Sequence, residues 1–261
     1  MRILNTLAAT LHAVANEQDC FLCGMTAQRP VCDGCTAACP ALPATLCPRC
    51  ALPSATGETC GRCLQTAPHF DATVAAFAYG APLDQALQAF KYRAALGLAG
   101  FLSGALAAAI RTRMAALPIG AQAELIVPMP LFRGRLAERG FNQALELARP
   151  LAKLCGAALE TGAVRRIRDT PPQARLPWAE RVSNIQDAFA CAQPANVAGW
   201  RVAVVDDVMT TGATLNELAR VLKSAGAAHV SNWVVARALP PGWANHEGET
   251  EGRNCRAQRA A

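Results

Sequence analysis

Apolar positions along this chain change period repeatedly, and each change marks an element. Residues 202–205 are an apolar, mostly β-branched run of the length expected for a strand buried in a parallel sheet, and residues 72–79, 124–127 and 230–237 also read as strands. Between them the spacing turns helical. Pro82 opens a helix whose stripe is Leu83, Ala86, Leu87 and Phe90, residues 96–116 predict a second helix rich in Ala and Leu, and residues 215–224 place Leu215, Leu218, Val221 and Leu222 on one face. Strands alternating with helices predict an α/β fold built on a parallel sheet.

The stretch 202–214, V-A-V-V-D-D-V-M-T-T-G-A-T, carries the clearest chemistry. Asp206 and Asp207 are expected where the apolar strand ends, followed by Val208, Met209, Thr210, Thr211, Gly212, Ala213 and Thr214 and then by a helix. A helix N-terminus offers free backbone N–H groups and the positive end of its dipole, and the threonines add hydroxyls, so the loop suits a phosphate. Neither G-x-x-x-x-G-K-[ST] nor G-x-G-x-x-G occurs in the chain. The strand at 124–127 ends in Pro128, Met129 and Pro130, which stop pairing, and strand ends on one edge of a parallel sheet gather ligands. That loop is therefore expected to face the acidic pair. Lys91 ends the helix opened by Pro82 and is a candidate ligand for the phosphate-bearing molecule, although a helix C-terminus by itself also favours a cation there. Arg133, Arg135 and Arg139 cluster before Gly140, which breaks a helix, and Asn142, which caps the next.

With 261 residues, 52% hydrophobic and 17% charged, the chain has room for one α/β core and a smaller module. The formal charge of +6 suits a partner that carries phosphate, whether a small molecule or nucleic acid. Aromatics are 5% and are not interleaved with the basic residues, so the stacking platform of a dedicated single-strand binder is missing. No apolar run is long enough to span a bilayer.

Nine of the twelve cysteines fall between Cys20 and Cys63, and eight of these form four C-x-x-C pairs. Cys20, Cys23, Cys32 and Cys35 make one unit, and Cys47, Cys50, Cys60 and Cys63 repeat it. Two thiolates from one tight turn and two from another complete a tetrahedral, closed zinc site, so about two structural Zn²⁺ are expected. A cross-braced arrangement joining Cys20 and Cys23 to Cys47 and Cys50 uses the same residues, and spacing alone leaves both open. The redox reading of C-x-x-C needs a βαβ context that this Pro- and Gly-containing stretch lacks. Cys39 fits neither repeat and reads as a spare thiol, as do Cys155, Cys191 and Cys255.

The resulting layout is an amphipathic helix in residues 1–17, a double zinc ribbon in 18–66, an α/β domain in 70–238 and a disordered tail in 239–261. Residues 13–15 read A-V-A after an apolar segment, as in a secretory leader, but Ile3, Leu4, Leu7, Leu11 and Val14 share one helical face. A cytoplasmic location is expected. Residues 163–191 are basic and Pro-containing and read as a mobile loop.

These residues resemble the competence protein F (ComF) family of phosphoribosyltransferase-like proteins, including its GntX type. The likeness rests on the paired C-x-x-C units, V-P-M-P at 127–130 and R-G-F-N-Q at 139–143. It extends through the run from Arg166 and Arg168 past Thr170 and Gln173 to Arg181, Asn184, Ala188 and Phe189, and ends with the D-D-V-M-T-T-G-A-T loop. The resemblance implies a type I phosphoribosyltransferase fold and, as ligands, phosphoribosyl diphosphate (PRPP) with Mg²⁺. It implies that Asp206 and Asp207 engage the ribose hydroxyls and that residues 210–214 hold the 5′-phosphate. Pro128, Met129 and Pro130 would lie against the pyrophosphate, while Arg166 and Arg168 would belong to a loop that closes over the site. It further implies a link to DNA uptake or use, with single-stranded DNA, nucleotides or other competence proteins as partners. No acceptor for the phosphoribosyl group follows from it. The acidic pair predicts PRPP binding more directly than turnover, so a transferase and a non-catalytic DNA-binding component with a PRPP sensor site are the two readings.

Overall fold

The computed structural model describes residues 17–115, 122–169 and 185–240. The expected N-terminal helix, Thr170, Gln173, Arg181, Asn184, Cys255 and the tail beyond residue 240 lie outside them.

Five parallel strands form the sheet: β3 (Ala72–Ala78), β4 (Leu125–Pro128), β5 (Ala158–Leu159), β8 (Arg201–Met209) and β9 (His229–Arg237), in the order β3-β9-β8-β4-β5. Period-two alternation in β8 divides the core. Val202 and Val204 pack with Val230, Val234 and the stripe Leu215, Leu218 and Leu222 of one helix, α7 (Ala213–Ser224). Ala203 and Val205 pack on the opposite face with Trp233 and Val235. Three helices cover that face: α3 (Leu83–Tyr92) with Leu83, Leu87 and Phe90, α4 (Ala99–Met114) with Leu102, Leu106 and Ile110, and α6 (Gln143–Cys155) with Leu147 and Leu151. Each such leucine or valine contributes about 1.5–3 kcal/mol when fully buried.

The helical stripes expected for α3 and α7 are the buried ones. The second expected helix starts later, because residues 96–98 form a 3₁₀ turn before α4. The strand expected at 124–127 is shifted by one, with Pro128 as its last paired residue. The described parts of residues 163–191 include paired strands where a loop was expected. There β6 (Val164–Arg166) pairs antiparallel with β7 (Phe189–Cys191), because Val164 and Phe189 alternate onto the α7 core.

The cysteine-rich segment folds around the exposed side of β3, the edge strand. A small ribbon, β1 (Gln18–Asp19) with β2 (Thr26–Ala27), and two short helices, α1 (Asp33–Ala37) and α2 (Gly61–Gln65), carry the two quartets. Cys20, Cys35 and Cys39 pack with the three-helix face, whereas Cys47, Cys50 and Cys63 pack with the α7 face. The connection between the quartets runs along β3, whose Thr73 and Ala78 amides donate to the Pro48 carbonyl at 3.2 Å and the Pro40 carbonyl at 2.9 Å. An open strand edge that would invite foreign pairing is thereby covered.

Candidate phosphate site and cysteine centres

The site is built where two neighbouring strands end at different heights. β4 pairs with β8 only as far as Pro128 opposite Val205, and the Met129 amide donates to the Val205 carbonyl at 2.9 Å as their last bond. β8 continues, held by β9 in register through Asp206 opposite Val234 to Met209 opposite Arg237. The acidic pair therefore does not follow the strand, as its apolar run suggested, but lies inside its last four residues. Backbone pairing to β9 overrides the polarity of the side chains, and the missing β4 partner leaves a notch beside Asp206 and Asp207.

The two carboxylates have different surroundings. Asp207 is 3% exposed, and its Oδ2 lies 2.8 Å from Nζ of Lys91 in the last turn of α3. Its Oδ1 accepts from the Val208 amide at 2.7 Å, and Asp206 Oδ1 accepts from the Asp207 amide at 2.9 Å. Burial pushes the Asp206 carboxyl up to about 6, against the downward pull of Lys91, Arg166 and Arg139. Burial likewise lowers Lys91, opposed by the charge of Asp206. The notch thus joins a fixed ion pair, Lys91 with Asp207, to a carboxyl poised near neutrality among three cations.

Other residues set the notch walls. Asn142 caps α6 by accepting from the Ala144 amide at 3.0 Å and donates from Nδ2 to the Met129 carbonyl at 3.1 Å, fixing the loop of Met129 and Pro130. Arg139 ends α5 (Arg133–Arg139), stands 5.4 Å over the Tyr92 ring and donates to Gln143 Oε1. Arg135 reaches Asp169 at 3.7 Å. Arg166 lies on the β6–β7 ribbon, half-buried 5.7 Å over the Phe189 ring, so the structure assigns it to a paired strand and not to the expected mobile loop. Arg168 is exposed and donates to the Gln186 carbonyl at 2.6 Å. The described contacts of Arg168 are with the ribbon and not with the acidic pair.

Beyond Met209 the chain turns sharply into α7. Gly212 has φ +83°, which favours glycine, and a Cβ there would stand 2.6 Å from Met209 Cε, so the end of that flexible side chain would have to shift. Thr210 is exposed, Thr211 is buried with its Oγ1 accepting from the Ala213 amide at 3.2 Å, and Thr214 is half-buried. Accepting this bond leaves the Thr211 hydroxyl hydrogen available to donate, so all three expected hydroxyls keep a donor. Two residues missed from sequence bear on this loop. Arg237, 1% exposed at the end of β9, donates to the Met209 carbonyl at 3.0 Å, and Arg62 donates to the Thr211 carbonyl at 3.0 Å. A charge ending the apolar run W-V-V-A at 233–236 was the available signal for Arg237.

The cysteines group as Cys20, Cys23, Cys32 and Cys35 and as Cys47, Cys50, Cys60 and Cys63, with the four sulfurs of each within 4.8 Å of one another. The quartets are sequential, and the cross-braced alternative is not formed. The repeat extends to the backbone, since the Cys20 and Cys47 amides both bond five residues ahead, to Met25 and Leu52, at 2.7 Å. No disulfide joins any of the eleven described cysteines. Burial raises Cys20, but N–H groups of Cys32, Cys23 and Leu22 outweigh it and bring the thiol down to about 6, and the same balance brings Cys47 down to about 7. Cys35 and Cys63 are pushed far upward by burial and by the sulfurs crowded around them. Four close sulfurs, one stabilised as thiolate and another opposed by its neighbours, suit a soft divalent cation such as Zn²⁺ and leave no open coordination position. Cys39 stands outside, its Sγ donating to the Cys35 carbonyl at 3.4 Å.

Comparison with known proteins places this geometry. The phosphoribosyl transferase domain family model matches residues 137–253. The chain is 36% identical over 200 residues to DNA utilization protein YhgH of Salmonella typhimurium, covering 75% of this chain and 85% of that protein. It is 36% identical over 186 residues to competence protein F of Haemophilus influenzae, covering 69% of this chain and 79% of that protein. The chain belongs to the competence protein F family of phosphoribosyltransferase-like proteins. Its fold is accordingly of the type I phosphoribosyltransferase class, with the cysteine-rich module as an N-terminal addition. Among solved structures, purine phosphoribosyltransferase from Pyrococcus horikoshii aligns with 57% of this chain and 91% of its own at 18% identity, with a TM-score of 0.31. No helix among the described residues is long and apolar enough to cross a membrane.

Proposed function

We propose that this protein binds PRPP, together with Mg²⁺, in the notch between the β4 and β8 ends, and that it serves the cell's use of DNA or its nucleotides. The observation that supports this most directly is the early end of β4 at Pro128. It sets the Met129 and Pro130 loop beside Asp206 and Asp207, with Lys91, Arg139 and Arg166 around them. The names of the relatives support the link to DNA use and competence.

In this reading the amides and hydroxyls of residues 210–214 hold the 5′-phosphate at the start of α7. Asp206 and Asp207 engage the ribose hydroxyls, with Lys91 fixing Asp207 in place. The Met129 and Pro130 loop receives the pyrophosphate. Departure of pyrophosphate from C1′ builds positive charge on the sugar, which the carboxylates stabilise, and negative charge on the leaving group, which Arg166 and Arg139 are placed to stabilise. Mg²⁺, when bound, would neutralise diphosphate charge, and oxygen donors of the Asp206 type suit it. Arg168 serves this reading only if the ribbon moves, as closure over a labile substrate requires.

The test is thermal stability with PRPP and Mg²⁺, which should rise with ligand concentration by mass action. Asp206→Asn with Asp207→Asn should abolish the rise, and retention of wild-type binding in that variant would refute the site. Pyrophosphate release on adding bases, amines or DNA then separates a transferase from a binding component. Release with none of them, alongside affinity for single-stranded DNA that falls with salt, favours the second.

A further inference from the structure

The second cysteine quartet is fastened to the loop of residues 209–211, and among the described contacts the first is not. Arg237 closes β9 almost fully buried, and its guanidinium spans two parts of the molecule. Nε donates to the carbonyl of the quartet residue Cys50 at 2.8 Å, while Nη1 donates to the Met209 and Ala238 carbonyls at 3.0 and 2.9 Å and to the Thr210 carbonyl. Arg62 sits in α2 between the ligand positions Cys60 and Cys63, and its Nη2 donates to the Thr211 carbonyl at 3.0 Å. Three successive loop carbonyls, those of Met209, Thr210 and Thr211, are therefore held by two cations attached to or set by this quartet.

A trans peptide points its C=O and N–H in opposite directions. Pulling these carbonyls toward Arg62 and Arg237 turns the amides of Thr210, Thr211 and Gly212 away from the cysteine module. Such a run of turned-out amides is the arrangement that binds an anion. Phe70 and Cys63 pack with Met209 beneath the loop, and the first quartet packs on the far face of the sheet with Leu83 and Phe90. Among the described contacts it makes no bond to residues 209–214.

We propose that the second quartet, acting through the positioning residues Arg62 and Arg237, orients the amides of residues 210–212, so that metal loading of this quartet sets affinity for a phosphate-bearing ligand while the first quartet serves folding alone. The ligand named in the test rests on the PRPP reading above. The orientation of the loop does not.

The test uses the full, metal-loaded chain and reads backbone NMR order parameters at residues 210–214, metal content and PRPP affinity with Mg²⁺. Arg62→Ala should lower the order parameters there and weaken PRPP about tenfold, as loss of a charged hydrogen bond does, with metal content unchanged. Arg62→Lys, which still offers one donor to one carbonyl, should restore both. Cys60→Ser should cost one metal and the loop's rigidity, whereas Cys32→Ser should cost one metal and leave residues 210–214 rigid. Unchanged loop order parameters in Arg62→Ala, or equal loss of rigidity in the two cysteine variants, overturns the proposal. If Cys60→Ser does not fold, Arg62→Ala with Arg62→Lys decides alone. Loop rigidity that follows the second quartet in a chain that never binds PRPP upholds the coupling and overturns only the choice of ligand.

Discussion

Lys91 Nζ and Asp207 Oδ2 lie 2.8 Å apart, joining the end of α3 to the last residues of β8 across an otherwise apolar face. A carboxylate this buried tolerates its charge only because the ammonium is there. Lys91→Ala is expected to destabilise the fold by roughly 3–5 kcal/mol, as loss of one member of a buried pair does. Lys91→Met combined with Asp207→Asn should cost less than the sum of the single changes. Denaturant titration of the four proteins measures both effects.

Asp206 responds to pH in the opposite sense to an ordinary paired carboxylate. Its folded value is raised by burial to about 6, above the unfolded 3.8, so the unfolded chain releases this proton first. Stability from this group is full below pH 3.8 and is lost as pH rises through 6. Asp206→Asn should therefore be more stable than the wild type above pH 6, with the difference fading toward pH 4. In the wild type, binding of PRPP with Mg²⁺ should weaken as pH falls below about 6. Parallel melting and binding profiles over pH 4–8 check the two signs.

Gly212→Ala tests the loop itself. The left-handed backbone costs an alanine roughly 1–2 kcal/mol, and the new methyl must displace the buried Met209 side chain. Stability should fall by about that amount. PRPP binding should fall much further, because the turn aims the start of α7. Equal losses in the two measurements would show that the turn supports the fold and nothing more.

Metal analysis should find about two Zn²⁺ per chain. Chelation should unfold the cysteine module and expose the amides of Thr73 and Ala78, which now bond to the connection between the quartets. Hydrogen exchange at those two positions, before and after chelation, reads this directly. Unaltered protection would mean that the module holds without metal.

Much of the fold was legible in the sequence because its signals are local. The stripes of Leu83, Leu87 and Phe90 and of Leu215, Leu218 and Leu222 need only a helical period, and the paired C-x-x-C units need only spacing. Asn142 as a cap after Gly140 was equally readable, and Gly140 does take φ +79°. What escaped depends on partners distant in the chain. Asp206 and Asp207 stay in β8 because β9 accompanies them after β4 has stopped, which no feature of residues 202–214 announces. Arg166 rests over Phe189, 23 residues away, and Arg237 bonds to Cys50. A cation at the end of an apolar strand carries no local sign of burial, yet Arg237 is among the most buried side chains.

The path of residues 40–48 along β3 bears on how this protein can be dissected. The two quartets straddle the edge strand, one on each face, and the chain between them supplies acceptors to its backbone. A fragment starting at Ala72 would keep all five strands of the main sheet, yet it would present β3 as a bare template and strip the buried Nε of Arg237 of its Cys50 acceptor. Such a fragment is expected to associate edge to edge instead of serving as a minimal folded unit. The cysteine-rich segment is the missing margin of the sheet, and the two halves of this chain are separable on paper only.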